Sequence, residues 1–144
     1  MTALVTGPPL GAPAFDEAVF RKRCDALLVA AGVPDAELSV ALVADDEIAD
    51  LNVRHRGRPG PTDVLSFSLR EGEHTDRSGG MLGDVVIAVT VAHRQAREIG
   101  HDLDEELLRL LIHGVLHLLG FDHEEADEAR AMQSRERELR AAIS

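Results

Sequence analysis

Apolar residues recur at helical spacing from about Phe15 to Ala31, where Phe20, Cys24, Leu27, Leu28 and Ala31 share one face. Asp16 and Glu17 suit the positive end of that helix, and Gly32 and Pro34 stop it. Leu38 to Ala44 alternates as a strand does. Asp45 or Asp46 can then cap a short helix reaching about His55, with Ile48 and Leu51 turned inward. Gly57, Pro59, Gly60 and Pro61 mark a loop. From Asp63 to Leu69 the chain alternates again, with Val64, Ser66 and Ser68 on one face and Leu65, Phe67 and Leu69 on the other. Glu71 to Gly80 is polar and glycine-rich, a surface loop. Leu82 to Val89 is apolar on both sides, the pattern of a strand interior to its sheet. Thr90 can cap a helix running to about Ile99, which Gly100 ends.

The next segment departs from this amphipathic pattern. Asp102, with Glu105 three residues on, resembles a capping box. Behind it Leu103, Leu107, Leu108, Leu110, Leu111, Ile112, Val115, Leu116, Leu118 and Leu119 make a helix that is apolar nearly all round and therefore buried. Gly120 terminates it. A last, highly charged helix follows from about Glu124 to Ala142, with Ala129, Met132 and Leu139 as its thin apolar stripe. These elements predict an α+β fold, a single mixed β-sheet packed with about five helices in one domain over residues 1–144. Residues 1–13, with Gly7, Pro8, Pro9, Gly11 and Pro13, are expected to be irregular.

Composition changes the picture in four ways. The chain has 144 residues and is 44% hydrophobic, enough for one core without a disulfide or a structural metal. Its single cysteine, Cys24, sits on an apolar stripe and reads as a core thiol. With no signal-like N-terminus and no run near the roughly 18 apolar residues of a membrane span, a cytoplasmic setting is the expectation. The net charge of −11 excludes bulk electrostatic attraction to nucleic acid, so an RNA function needs a local basic patch.

Two histidines break the apolar helix. His113 and His117 lie four residues apart, on one face. A single histidine there would be a core residue with a hydrogen bond, whereas two on one face ask for another explanation. Gly120 lets the chain turn, and His123 follows. The spacing His-x-x-x-His-x-x-Gly-x-x-His suits a tripodal zinc site of zincin type, with a fourth position open to water. Other metals that take imidazole, iron, nickel or copper, fit the same ligands by residue type. The spacing matches the metzincin protease motif, except that the glutamate acting there as general base is replaced by Gly114. Peptide hydrolysis by the usual zincin route is therefore disfavoured, although zinc still lowers the pKa of a bound water to about 7. Asp122 has two equal readings, as an orienter of a ligand or as a cap for the last helix.

Arg54, His55, Arg56 and Arg58 form a compact basic run. On the residues alone it reads first as a solvated helix end whose cations complement the negative dipole. His93, Arg94 and Arg97 read as plain surface residues with a second use as an extension of that patch.

The block His113-Gly114-Val115-Leu116-His117-Leu118-Leu119-Gly120-Phe121-Asp122-His123 resembles the YbeY family of bacterial rRNA maturation factors. So does the run from Leu51-Asn52 through Arg56-Gly57 to Pro61-Thr62-Asp63-Val64-Leu65-Ser66-Phe67, with Leu82-Gly83-Asp84-Val85 as a weaker third match. The resemblance implies a metal-dependent endoribonuclease that acts in maturation of the 3′ end of small-subunit rRNA and in ribosome quality control. It implies one zinc ion on His113, His117 and His123, and a functional arginine that falls on Arg56. Arg56 and His113 then become the expected catalytic residues. Arg54, Arg56 and Arg58 become the expected substrate contacts, and ribosomal RNA and ribosomal particles the partners. Ser68 stands where the family commonly has proline, and the family's first strand is expected to be weak or absent. Two other readings compete: a zinc hydrolase of peptides or small molecules, and a non-catalytic ribosome-associated factor using the acidic last helix as a contact.

Overall fold

The computed structural model describes residues 3–56, 62–68, 81–121 and 125–143. Its elements run β1 (Ala3–Thr6), α1 (Glu17–Ala30), β2 (Glu37–Val43), α2 (Asp45–Arg56), β3 (Val64–Ser68), β4 (Met81–Ala88), α3 (Val89–Ile99), α4 (Leu103–Leu118) and α5 (Ala126–Ala142). The strands form one mixed sheet in the order β1-β2-β4-β3. β1 and β4 each pair parallel with β2, and β3 returns antiparallel to β4. The α+β class, the single mixed sheet and the five helices agree with expectation, and β4 is an interior strand.

Side-chain alternation gives the sheet two apolar faces. Leu38, Val40 and Leu42 of β2, with Leu82, Val85 and Ile87 of β4, join one large core with Phe20, Cys24, Leu27 and Leu28 of α1 and the apolar residues of α4. Met132 and Leu139 of α5 close the same core. On the other face Val43, Val86 and Ala88 meet Ile48 of α2, Leu65 of β3 and Val91 of α3. β3 divides as its alternation predicts: Leu65 faces the second cluster, Val64 packs on the first, and Ser66 turns toward α4. α4 therefore lies across β3 and β4, and its histidines are carried on a helix buried on most sides.

Four local expectations are corrected. Residues 1–13 are not wholly irregular, because Ala3–Thr6 is a strand in register with Leu38–Ala41. Thr90 is not a cap: α3 starts at Val89, behind Ala88, with no side-chain cap bond. Asp102 does accept from the Glu105 amide at 2.8 Å, but Glu105 turns away to Arg140, so only half of that capping box forms. The last helix starts at Ala126 and carries the complete capping box, between Glu125 and Glu128. That assigns the cap of α5 to Glu125 rather than to Asp122. The loop read over residues 71–80 lies outside the described residues, as do Gly57, Pro59, Gly60, Pro61 and Glu124.

Candidate metal centre

α4 carries a polar stripe along its otherwise apolar surface. Glu106, Arg109, His113 and His117 succeed one another at spacings of three, four and four, and so share one side of the helix. At the N-terminal end of the stripe, Glu106 is fully buried. Arg109 Nε donates to its Oε1 at 2.9 Å, Arg109 also donates to Oε2, and His101 Nε2 lies 2.7 Å from Oε1. These bonds hold the Arg109 guanidinium above its ordinary range against the opposing effect of burial, and the charges of Glu106, Asp63 and Glu136 add to it.

One turn further on, the expected ligands appear. The rings of His113 and His117 meet edge to face, with centroids 4.7 Å apart at 78°. Both are half-buried. Glu136, from α5, places Oε2 2.9 Å from His113 Nδ1. α4 then ends in a glycine-dependent reversal. The Phe121 amide donates to Leu116 O at 2.9 Å and the Gly120 amide to His117 O at 3.0 Å, the two bonds of a Schellman motif. Gly120 has φ +101° with open space where a Cβ would stand, so the backbone conformation itself selects glycine. This is the sharp turn the sequence suggested after His117. His123, the third expected ligand, and Asp122 lie outside the described residues. Among the described residues no group of three or more His, Cys, Asp or Glu side chains is arranged to hold a metal.

Gly114 has a packing reason as well as a chemical consequence. A Cβ there would stand 2.8 Å and 3.1 Å from the two γ-carbons of Val85, and 3.2 Å from Ser66 Oγ. Ser66 Oγ donates to the Gly114 carbonyl at 3.1 Å, tying β3 to the helix beside the histidines. The position that carries the general base in metzincin proteases is thus pressed against the sheet. Just before β3, Asp63 accepts from the Val64 amide at 2.8 Å and from Gln95 Nε2 at 3.3 Å, which fixes where that strand begins.

The basic run is less completely described. Arg54 is exposed on α2 and pairs with Asp50 at 3.2 Å. Arg56 closes α2, but its side chain and the whole of Arg58 lie outside the described residues. α2 packs on β4 and α3, whereas the histidines ride on α4, so the two candidate groups come from different elements. Arg94 reaches Asp45 at 3.9 Å, Arg97 is exposed near the end of α3, and His93 is half-buried. The sequence reading missed Glu106, Arg109 and Glu136. The first two were legible as polar breaks at regular spacing in an apolar helix. Glu136 carried no local signal, because its partner lies 23 residues away. Among the described residues, no helix is long and apolar enough to cross a membrane.

Fold and site together define a class: an α+β protein whose buried helix, laid across a mixed sheet, presents two adjacent imidazoles just before a glycine turn. Within that class, the family model described as Endoribonuclease YbeY matches residues 14–144, and the chain belongs to that family. Relatives carrying that description include a protein of Thermobifida fusca, 50% identical over 138 residues, covering 91% of this chain and 87% of the relative. Another, from Syntrophotalea carbinolica, is 50% identical over 112 residues, covering 76% of this chain and 75% of the relative. The solution structure of a Thermotoga maritima protein matches with a TM-score of 0.68 at 28% identity, covering 99% of this chain and 89% of that one.

Proposed function

We propose that the chain is a zinc-dependent, single-strand-specific endoribonuclease that acts in maturation of the 3′ end of small-subunit rRNA and in ribosome quality control. The observation that carries this reading is the half-buried pair of imidazoles on α4, with ring centroids 4.7 Å apart, in a chain of the Endoribonuclease YbeY family. A donor set of His113, His117 and His123 is all nitrogen, suits zinc, and keeps one position open. When bound there, zinc supplies Lewis acidity toward a phosphoryl oxygen or toward water.

The protein's own side chains do the rest. His113 and His117 hold the ion from a helix that the core fixes in place. His123 completes the tripod from beyond the Gly120 turn. Arg56 grips a phosphate and neutralises charge developing at phosphorus, as a guanidinium does through paired hydrogen bonds. Arg54 and Arg58 extend the patch along the RNA backbone and offset, locally, the net charge of −11. The packing of Gly114 against Val85 favours RNA over peptide, since it leaves no room for the glutamate base of a protease. The setting in this reading is cytoplasmic, with ribosomal RNA and ribosomal particles as partners.

The test pairs two variants with a metal analysis. His117→Ala is expected to lose both zinc and cleavage of single-stranded RNA. Arg56→Glu is expected to keep zinc and lose cleavage. Full nuclease activity in carefully metal-stripped protein would sink the reading, and turnover of peptides without turnover of RNA would replace it with a different hydrolase.

A further inference from the structure

We infer that Glu136 is the positioning residue that sets the tautomer and ring plane of His113, and that orienting this ring is a principal role of α5. The inference rests on the metal reading above. Glu136 Oε2 lies 2.9 Å from His113 Nδ1, and both side chains are only a little over one-quarter exposed. A carboxylate at Nδ1 holds the ring proton on that nitrogen, which makes Nε2 the nitrogen with the lone pair. Carboxylate–histidine pairs do this at metal sites generally.

The helix bringing Glu136 is registered for that task. Met132, Glu136, Leu139 and Ile143 follow at spacings of four, three and four, so Glu136 occupies a place on the buried stripe of α5 between apolar neighbours. A carboxylate on such a stripe needs a partner, and His113 is there. Two ties outside the stripe hold α5 in place. Arg140 binds Glu105 through two bonds of 2.6 and 2.7 Å, and Arg135 donates to Ala30 O at 3.4 Å. Pairing Glu105 with Arg140 and His113 with Glu136 sets α5 antiparallel to α4, so the register that satisfies one pair satisfies the other. A partly exposed pair of this kind contributes little to stability, which leaves ring orientation as its main effect.

The experiment compares wild type, Glu136→Gln, Glu136→Ala and His117→Ala. Zinc affinity is measured by competition with a chromophoric chelator, and histidine tautomers by ¹⁵N–¹H correlation in the metal-free protein. Wild type should show His113 protonated on Nδ1. Glu136→Ala should lose that preference and weaken zinc binding about 10- to 100-fold, the usual cost of removing such an outer partner. Glu136→Gln, which still accepts a hydrogen bond but carries no charge, should fall between the two. The unfolding midpoint of the metal-free protein should stay close to wild type, as a merely structural role would not allow. If His117→Ala abolishes zinc binding while Glu136→Ala leaves both affinity and tautomer unchanged, the inference is overturned and the metal site stands. If wild type itself binds no zinc, both are overturned.

Discussion

Helix α4 contributes one member to each of two histidine–glutamate pairs, and they are built to opposite ends. His101 with Glu106 and His113 with Glu136 have similar nitrogen–oxygen separations, 2.7 and 2.9 Å, and histidines about equally exposed, at 27% and 28%. The carboxylates differ. Glu106 is wholly buried, and Arg109 holds both of its oxygens while His101 adds a further contact. Glu136 is 27% exposed, and its histidine sits edge to face with a second imidazole one turn on. A fully buried carboxylate must find all its partners within the protein, so the first pair is a closed network whose loss is felt in stability. A partly exposed carboxylate leans less on its protein partner, so the second pair can serve an outward-facing ring. The residue types alone do not separate these roles; burial and the number of partners do.

This contrast fails if Glu106 proves as dispensable to folding as a surface carboxylate. Glu106→Ala leaves a buried cavity and releases both Arg109 and His101. It is expected to cost about 3 kcal/mol in urea unfolding, with zinc affinity per folded molecule unchanged. A variant that instead keeps its stability and loses zinc would reverse the two assignments. Gly114→Ala, next to His113 in the chain, sharpens the comparison because it displaces the histidine-bearing turn without touching a carboxylate. Alanine improves helix propensity by about 1 kcal/mol, but its Cβ must enter a contact of 2.8 Å with the buried, β-branched Val85. Overpacking of that kind costs about 1–3 kcal/mol, so the net change should be a loss of about 1 kcal/mol. Val85→Ala in the same chain should recover part of it, which thermal unfolding of the double variant will show.

A smaller effect tests the register of α5. Hydrogen bonding from Arg140 holds Glu105 below the usual glutamate range, with the charges of Arg140, Arg23 and His101 assisting against desolvation. A carboxyl whose pKa is lowered by folding stabilises above its unfolded value of 4.5 and loses that contribution as pH falls through the folded value. Wild type should therefore exceed Glu105→Gln by about 0.5 kcal/mol at neutral pH, a surface-pair magnitude, and the gap should close as pH drops below 4.5. The smallest effect is a control on α1, in the large core. Burial in the main core, with the Asp25 charge adding, pushes the Cys24 thiol up to about 12. At pH 8 the folded protein should react with a disulfide reagent no faster than it opens, and at the rate of a free thiol only in denaturant.

The order and type of the longer elements were legible because each has enough turns or alternations to display a period. α1, α4 and β4 bury broad apolar faces, and their residues announce it. β1 was not legible. It is four residues long, and Leu4 stands 63% exposed between Ala3 and Val5, so apolar residues fall on both of its faces. What makes it a strand is a ladder to Leu38–Ala41, more than thirty residues away. The start of α3 was displaced for a related reason. β4 runs straight into the helix at Val89, and a buried junction of that kind uses no polar cap.

By itself the sequence determined the α+β class, the buried helix, the shared face of His113 and His117, and the turn at Gly120. All of these are consequences of spacing within a few residues, where helical geometry translates directly into direction. The tertiary structure decided which carboxylate each histidine meets, why position 114 must be glycine, and how the last helix is registered. Those depend on atoms brought together from elements far apart in the chain. Val85 comes to lie under Gly114 only once the sheet has formed, and Glu136 reaches His113 only once α5 has docked antiparallel to α4. Local periodicity sets the direction of a side chain, and packing sets what stands there to meet it.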